Sequence, residues 1–192
     1  MVPVISRERI LSWKEVAEQV KTTYYVAVSL DGYIADTNGG VDWLDDISID
    51  QNGTGYESFY AGIDGLIMRR ATYDFVYDYG QWPYDDKPTW VCTTREISPL
   101  DGCNLQQARD AVIAISEAKS MGLKSMWMVG GGVLASSMLK QGLLTHISVS
   151  VMPVILGGGV KLFDALPKLV HIEQASSTEM GGFTQIEYAI NS

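Results

Sequence analysis

One stretch decides the fold: Ser125-Met126-Trp127-Met128-Val129-Gly130-Gly131-Gly132-Val133-Leu134. Its first half is typical of a short buried strand, and its second half begins a helix directly after three glycines. The first backbone N–H groups of a helix have no partner within it, and glycines let a phosphate group approach them closely. The stretch therefore predicts a strand, a phosphate-binding turn and a helix, and a tight turn without a ligand is the alternative.

Around this stretch, the sequence predicts strands that alternate with helices. The predicted strands are Thr22–Ser29, Gly65–Met68, Thr89–Thr93, Ser125–Val129 and Thr145–Met152, and the predicted helices are Tyr56–Ala61, one from Thr72, Gln106–Met121 and Val133–Gln141. Two closing segments, His171–Thr178 and Phe183–Ile190, alternate as antiparallel edge strands do. Such alternation favours an α/β fold with a mainly parallel sheet, whose ligands bind beyond the carboxyl ends of the strands.

Length and composition indicate one globular domain over residues 1–192, with a helical extension over residues 1–21. The formal net charge of −9 argues against nucleic acid and against an anionic membrane surface as partners. No apolar run is long enough to span a bilayer. Two cysteines and two histidines favour neither a disulfide framework nor a zinc site. We therefore expect no metal and a reducing, cytoplasmic location.

Five motifs in one order resemble a known family. They are Ser29-Leu30-Asp31-Gly32-Tyr33-Ile34-Ala35, Trp43-Leu44, Met68-Arg69-Arg70-Ala71-Thr72-Tyr73, Gly130-Gly131-Gly132 and Pro153-x-x-Leu156-Gly157-Gly158-Gly159. This order is similar to that of the dihydrofolate-reductase-like family, which includes the reductase domain of riboflavin biosynthesis. The resemblance covers about residues 22–190. It implies a three-layer α/β/α fold and an NADPH-dependent reductase of a small heterocyclic or carbonyl-containing substrate.

The resemblance also implies which residues bind the cofactor. Those near the nicotinamide are Ala27, Val28 and Ile34, those near the phosphates are Arg70, Thr72, Gly130, Gly131 and Gly132, and those near the 2′-phosphate are Thr93, Thr94 and Arg95. Guanidinium and hydroxyl donors suit a dianionic phosphate, although exposed arginines without a ligand are common. Arg69 departs from the glycine usual in the family, and it either crowds the cofactor or adds a phosphate contact.

A catalytic role is predicted for Asp31, which follows a buried strand and faces the expected cleft; a turn role for this Asp-Gly pair is the alternative. Further substrate-binding residues are expected among Trp43, Tyr56, Glu57, Gly157 and Gly158, with Phe59, Tyr73 and Lys161 as weaker candidates. Dihydrofolate reductases carry a carboxylate on the helix after the tryptophan. Here Ser48 and Asn52-Gly53-Thr54 occupy the matching positions, which argues against folate reduction.

The exposed apolar residues expected in the closing strands favour a homodimer. Two other functions remain open from the residues alone. One is a nucleotide-binding or regulatory module without catalysis, which Arg69 and the missing helix carboxylate favour. The other is a scaffold of the same fold that has lost the cofactor.

Overall fold

The computed structural model of the protein describes residues 19–47 and 55–190. The helical extension predicted over residues 1–21 falls almost entirely outside these ranges, and Ser48 and Asn52-Gly53-Thr54 lie outside them as well. The strands are β1 (Lys21–Ser29), β2 (Tyr33–Ala35), β3 (Gly65–Arg69), β4 (Thr89–Cys92), β5 (Leu105–Ala108), β6 (Ser125–Met128), β7 (His146–Met152), β8 (Val160–Lys161), β9 (Ile172–Met180) and β10 (Phe183–Ile190). The helices are α1 (Tyr56–Ala61), α2 (Arg70–Asp78), α3 (Ala111–Ser120) and α4 (Gly132–Lys140), with a 3-10 turn at Asp42–Leu44.

Eight strands form one sheet in the order β5-β4-β3-β6-β1-β7-β10-β9. The pairings from β5 across to β7 are all parallel, whereas β10 is antiparallel to both β7 and β9. A second, small sheet joins β2 to β8. The prediction of a mainly parallel sheet with antiparallel strands at the C-terminal edge is confirmed.

The helices lie in two layers, because residues of the central strands alternate between two hydrophobic cores. Ile67, Met126 and Met128 pack in one core with α3 and α4. Leu66, Met68 and Trp127 pack in the other with α1 and α2. The predicted three-layer α/β/α fold is therefore confirmed. We call the side covered by α1 and α2 the aromatic face of the sheet, after its cluster of tyrosine, phenylalanine and tryptophan rings.

One predicted boundary is wrong. Gln106 does not begin a helix, since Leu105–Ala108 pairs with β4 as the edge strand β5. The helix begins only at Ala111, where the carboxylate of Asp110 accepts a hydrogen bond of 3.1 Å from the Ile113 N–H. This N-cap satisfies one of the free donors of the first helical turn and so determines where the helix starts.

The closing hairpin leaves one strand uncovered. All of β9 except Met180 is exposed on both faces, whereas Phe183 and Gln185 of β10 are buried. Within the described ranges, none of the helices has the length and hydropathy needed to cross a membrane.

Candidate functional site

The direction of chain connections changes between the adjacent strands β3 and β6. From β3 the chain passes through α2 to β4, and from β6 it passes through α4 to β7 on the opposite side. The two helices also lie on opposite faces of the sheet. A crevice opens beyond the carboxyl ends of parallel strands at such a switch point, and ligands of open α/β sheets bind there.

The three glycines at this crevice have different surroundings. Gly130 adopts a φ of +102°, and a Cβ on it would overlap the Thr72 side chain. A Cβ on Gly132 would overlap the Lys161 carbonyl and lie 2.8 Å from that of Leu162. A Cβ on Gly131 would meet nothing within 4 Å, and its φ of −80° suits any residue. Gly130 and Gly132 are therefore required by the fold, whereas the absence of a side chain at Gly131 leaves open space.

Both helices at the crevice begin without a side-chain cap. Arg69 precedes α2 and Gly131 precedes α4, and neither supplies a hydrogen bond from its side chain to the first turn. The unpartnered N–H groups and the positive ends of two helix dipoles therefore lie at the same switch point. This arrangement favours a bound anion.

The arginines at this edge differ in their partners. Arg70 forms an ion pair of 2.5 Å with Asp74 and donates a hydrogen bond of 2.8 Å to the Glu96 carbonyl. In contrast, the guanidinium groups of Arg69 and Arg95 are exposed and make no hydrogen bond or ion pair with any described residue. Arg70 is thus held by the protein, and Arg69 and Arg95 retain their donors for a ligand.

Two side chains, those of Thr93 and Gln107, hold the backbone of the loop after β4. The Thr93 hydroxyl accepts a hydrogen bond of 3.1 Å from the Arg95 N–H, and the Gln107 amide donates to the carbonyls of Thr93 and Arg95. Thr94 is exposed beside them. The loop therefore presents Arg95 from a fixed backbone.

Of the residues predicted near the nicotinamide, Ala27 and Val28 lie on opposite faces of β1, and Ile34 lies on β2. Val28 is buried in the core with α4, and Ile34 packs against that core while remaining partly accessible. Ala27 is half-buried on the aromatic face. Of the pair on β1, only Ala27 therefore offers surface to a ligand.

Asp31 links two loops. Its carboxylate accepts hydrogen bonds from the Ser29 hydroxyl at 2.6 Å and from the N–H groups of Leu156 and Gly157 at 3.1 and 2.7 Å. The Ser29 hydroxyl, followed by the two N–H groups, lowers the pKa of this exposed carboxyl. These contacts correspond to the turn role, and the catalytic role remains a prediction.

The second glycine triplet also serves the backbone. The Gly157 N–H is bound by Asp31, and a Cβ on Gly159, at a φ of +138°, would overlap the Ala35 carbonyl. Gly158 has only Thr37 near its Cβ position, at 3.7 Å. The triplet thus packs its loop against β2, and substrate binding by Gly157 and Gly158 remains a prediction.

Aromatic side chains line the α1 side of the sheet. Tyr25 stacks on Phe59 with ring centroids 4.2 Å apart, and both rings meet Trp127 edge-on. The Tyr56 ring also meets Trp127 edge-on, with ring centroids 5.8 Å apart. Of the other predicted substrate residues, Glu57 is exposed and Trp43 is half-buried. The indole N–H of Trp43 has no hydrogen-bond partner among the described residues, and ligands often satisfy such buried donors.

Of the remaining weak candidates, Tyr73 has a structural contact and Lys161 is exposed. The Tyr73 hydroxyl donates a hydrogen bond of 2.6 Å to the Ser98 carbonyl from a buried position. Lys161 is exposed on β8. Among the described residues, no group of three or more histidine, cysteine or acidic side chains is arranged to hold a metal ion.

Sequence reasoning missed a polar group on the aromatic face. Its members, Ser148, Ser150, Gln185 and Glu187, come from β7 and β10 and are linked by hydrogen bonds. The alternation of Ser148 and Ser150 with valines was visible in the sequence, but it is typical of a solvent-facing strand. Only the register of β7 with β10 brings the four side chains together.

Comparisons with known proteins agree with this geometry. The family model described as RibD C-terminal domain matches residues 68–186. The protein YwjB of Bacillus subtilis (strain 168), which is uncharacterised, is 31% identical over 169 residues, covering 88% of this chain and 97% of that protein. A crystal structure from Shewanella sp. PV-4 superposes on this chain with a TM-score of 0.78. Its protein is provisionally named as a riboflavin biosynthesis protein. The two sequences are 31% identical, and the match covers 90% of this chain and 100% of the other.

A more distant structure shares the fold alone. Dihydrofolate reductase from Enterococcus faecalis, solved in complex with NADP(H), is 14% identical and has a TM-score of 0.63. The match covers 90% of this chain and 97% of that enzyme's chain. The matched residues 68–186 include the Met68–Tyr73 motif and both glycine triplets. The chain therefore belongs to the RibD C-terminal-domain family of oxidoreductases.

Proposed function

We propose that the protein is an NADPH-dependent reductase of a small heterocyclic or carbonyl-containing substrate. Family membership supports the oxidoreductase class. The choice of NADPH is supported by two unpartnered arginines beside two uncapped helix N-termini. A phosphorylated dinucleotide carries the negative charges that such groups bind.

The observation that carries the proposal is the open space above Gly131. Its two neighbouring glycines are each filled by protein atoms, Thr72 on one side and the Lys161–Leu162 backbone on the other. A Cβ on Gly131 would instead project into space that the protein leaves empty. Close approach of a pyrophosphate to the backbone explains a glycine that the fold itself does not require. The residues present therefore fit a dinucleotide.

The chain would hold a bound cofactor through distinct groups. The N–H groups at the start of α4 and α2 would bind the pyrophosphate, with Thr72 and Arg69 beside them. Arg95 and Thr94 would bind the 2′-phosphate, and Arg70 would act indirectly, because Asp74 and Glu96 hold it. Bound NADPH supplies a hydride, and the protein's task is to position and shield the reacting groups.

The aromatic face would receive the substrate. Tyr25, Phe59 and Trp127 pack against one another through their rings, as an apolar wall for a flat molecule does. Ala27 lies on the same face, two residues closer to the carboxyl edge of β1. A substrate on this wall would thus be close to the predicted nicotinamide position and shielded from water.

Two measurements in sequence test the proposal. NADPH is titrated into the protein by calorimetry and by nicotinamide fluorescence, and NADPH oxidation is then followed with a panel of heterocycles, aldehydes and ketones. We expect NADPH to bind more tightly than NADH and at least one compound to be reduced. Failure of both cofactors to bind or to raise Tm would exclude a reductase and favour a scaffold that has lost the cofactor.

A nucleotide-binding module without catalysis is the second candidate. The contacts of Asp31 favour it, because the carboxylate predicted to be catalytic accepts three hydrogen bonds from the protein itself. The same assays separate the two functions. NADPH binding without oxidation across the whole panel would identify the module.

We also propose a homodimer in the cytoplasm. Both faces of β9 are exposed, and this strand lies at the edge of the sheet. A long uncovered edge strand can pair with a strand of a second copy, which supports the dimer. Sedimentation velocity over a range of concentrations tests the dimer.

A cytoplasmic location is supported by two free thiols, Cys92 and Cys103. Burial raises their pKa to about 12 and about 11, so neither is a reactive thiolate.

A further inference from the structure

The loop that follows β4 is tied to β5 by one side chain. We call residues 93–98 the arginine loop. The Gln107 side-chain amide donates hydrogen bonds to the Thr93 carbonyl at 3.4 Å and to the Arg95 carbonyl at 3.2 Å. An amide NH2 group carries two hydrogens, so one side chain serves both carbonyls. The backbone bonds between the two strands end with the one from the Thr93 N–H to the Ala108 carbonyl, and Gln107 therefore extends the attachment as far as Arg95.

Helix α2 also holds the arginine loop. The Arg70 guanidinium donates to the Glu96 carbonyl at 2.8 Å, and the Tyr73 hydroxyl donates to the Ser98 carbonyl at 2.6 Å. Together with the two bonds of Gln107, side chains outside the loop bind four of its six carbonyls. The loop backbone is therefore oriented by other elements of the fold, and of these three side chains Gln107 is the one that binds the carbonyl of the arginine itself.

Two opposite charges follow one another in this loop. Arg95 and Glu96 are neighbours, and both are exposed. A phosphate is attracted by the guanidinium and repelled by the carboxylate. The orientation of the backbone therefore decides which of the two charges faces a ligand. That orientation is fixed by the Gln107 bond to the Arg95 carbonyl and by the bond of 3.1 Å from the Arg95 N–H to the Thr93 hydroxyl.

We propose that Gln107 is a positioning residue that determines the selectivity for the 2′-phosphate of NADPH. Its amide holds the Thr93 and Arg95 carbonyls, and the fixed backbone directs the Arg95 guanidinium at the phosphate. A side chain on a fixed backbone loses less conformational freedom when it binds, so more of its interaction energy appears as affinity. The inference rests on the proposed NADPH-dependent function. It predicts that Gln107 affects ligands with a 2′-phosphate and not those without one.

Two nucleotides isolate the 2′-phosphate without the nicotinamide and without turnover. ADP-ribose 2′-phosphate carries the group, and ADP-ribose is the same molecule without it. Each is titrated by calorimetry into the whole protein, and NADPH is titrated separately. Gln107→Met keeps the length of the side chain and removes both N–H donors. We expect the affinity of this variant for ADP-ribose 2′-phosphate to fall about fivefold, within the range for a lost hydrogen bond, and its affinity for ADP-ribose to stay unchanged.

The neighbouring glutamine on β5 supplies the matched control. The Gln106 amide donates to Oδ1 of Asn104 at 3.2 Å and makes no hydrogen bond to the arginine loop. Gln106→Met should therefore retain both affinities. A double variant tests whether Gln107 acts through the arginine: in an Arg95→Ala background, Gln107→Met should lower the affinity for ADP-ribose 2′-phosphate no further.

Amide hydrogen exchange gives a readout that needs no ligand. The Arg95 N–H, which is bonded to the Thr93 hydroxyl, should exchange faster in Gln107→Met than in the wild type, because the loop backbone is released. Gln107 is exposed, so the variant is expected to fold. Gln107→Ala, which removes the same donors, carries the test if Gln107→Met melts below the assay temperature.

The outcomes separate this inference from the proposed function. Equal affinity of the wild type and Gln107→Met for ADP-ribose 2′-phosphate, with NADPH binding intact, overturns the role of Gln107 and leaves the reductase standing. Equal losses for the two nucleotides also overturn it, because they would show a general effect on the nucleotide site. A wild type that binds neither NADPH nor either nucleotide overturns the reductase, and the role of Gln107 with it.

Discussion

The side chain of Thr72 occupies the space where a Cβ of Gly130 would lie. Helix α2 after β3 and helix α4 after β6 are therefore locked together at the point where the chain connections diverge. The contact explains why Gly130 is glycine without reference to a ligand. It also fixes the position of Gly131, the next residue, over the open crevice.

Substitution of Gly131 should separate ligand binding from folding. Gly131→Ala places a methyl group in open space at a φ that alanine adopts readily. We expect the unfolding free energy to change by no more than about 0.5 kcal/mol. NADPH affinity should fall at least tenfold, about 1.4 kcal/mol, because the methyl group meets the pyrophosphate. Calorimetric titration and thermal melts measure the two quantities.

Gly132→Ala is the control for that prediction. Its Cβ would overlap the Lys161 carbonyl, so we expect a clear loss of Tm. A folded Gly131→Ala variant with unchanged NADPH affinity would mean that the triplet is only a turn.

Arg95 should distinguish the two nicotinamide cofactors. In Arg95→Ala, NADPH binding should weaken by about 1.5–3 kcal/mol, the range for hydrogen bonds to charged groups. NADH binding should not change, because NADH lacks the 2′-phosphate. Arg109→Ala, which removes an exposed arginine that follows β5, is the matched control. Equal losses for NADPH and NADH would rule out the 2′-phosphate contact.

Arg69 should contribute to both cofactors. Its exposed side chain lies just before the first turn of α2, and glycine is a good residue at that cap. We expect Arg69→Gly to weaken NADPH and NADH alike, by about 1.5 kcal/mol each, since both carry the pyrophosphate. Parallel calorimetric titrations measure this. Tighter binding in the variant would show that the arginine crowds the site.

The Asp31 contacts predict a pH dependence of stability. The pKa of Asp31 is lowered in the folded protein, so its stabilising effect is fully present above the unfolded pKa, near 3.9. The effect is lost as pH falls through the folded pKa. The Tm difference between the wild type and Asp31→Asn should therefore be largest at neutral pH and shrink in acid. A difference that stays constant down to acid pH would contradict the role of the charged carboxylate.

The pKa of His146 reports on Glu187, a member of the polar group on the aromatic face. Burial, and next the charge of Lys21, lower its pKa from 6.5, while Glu187 acts in the opposite direction. An NMR titration of the ring protons should give a lower pKa still in Glu187→Gln and a higher one in Lys21→Gln. Because the folded pKa is lowered, His146 makes stability rise with pH across the interval from its folded pKa up to 6.5. No movement in Glu187→Gln would place the carboxylate away from this face.

The sequence predicts local features well and long-range contacts poorly. The strand–glycine–helix junction at Gly130 is a local pattern, and its position is confirmed. Apolar spacing that continues across Asp110 predicts a helix at Gln106, and only the pairing with β4 makes this residue part of a strand. The ion pair between Arg70 and Asp74 can be predicted from their i,i+4 spacing on a helix. The hydrogen bond from Arg70 to the Glu96 carbonyl cannot, because the two residues are far apart in the chain. No local pattern singles out Glu187, because its hydrogen-bond partner on β7, Ser148, lies 39 residues away in the chain.

The central position of β1 has a consequence for synthesis. Its partners are β6 and β7, so Lys21 meets Ser125 and Ser29 meets Met152. After it leaves the ribosome, β1 therefore waits for about 100 further residues before these hydrogen bonds form. At roughly 5–20 residues per second, this delay lasts about 5–20 s. An apolar strand with two open edges is then exposed to other nascent chains, and chaperones are expected to act during that interval.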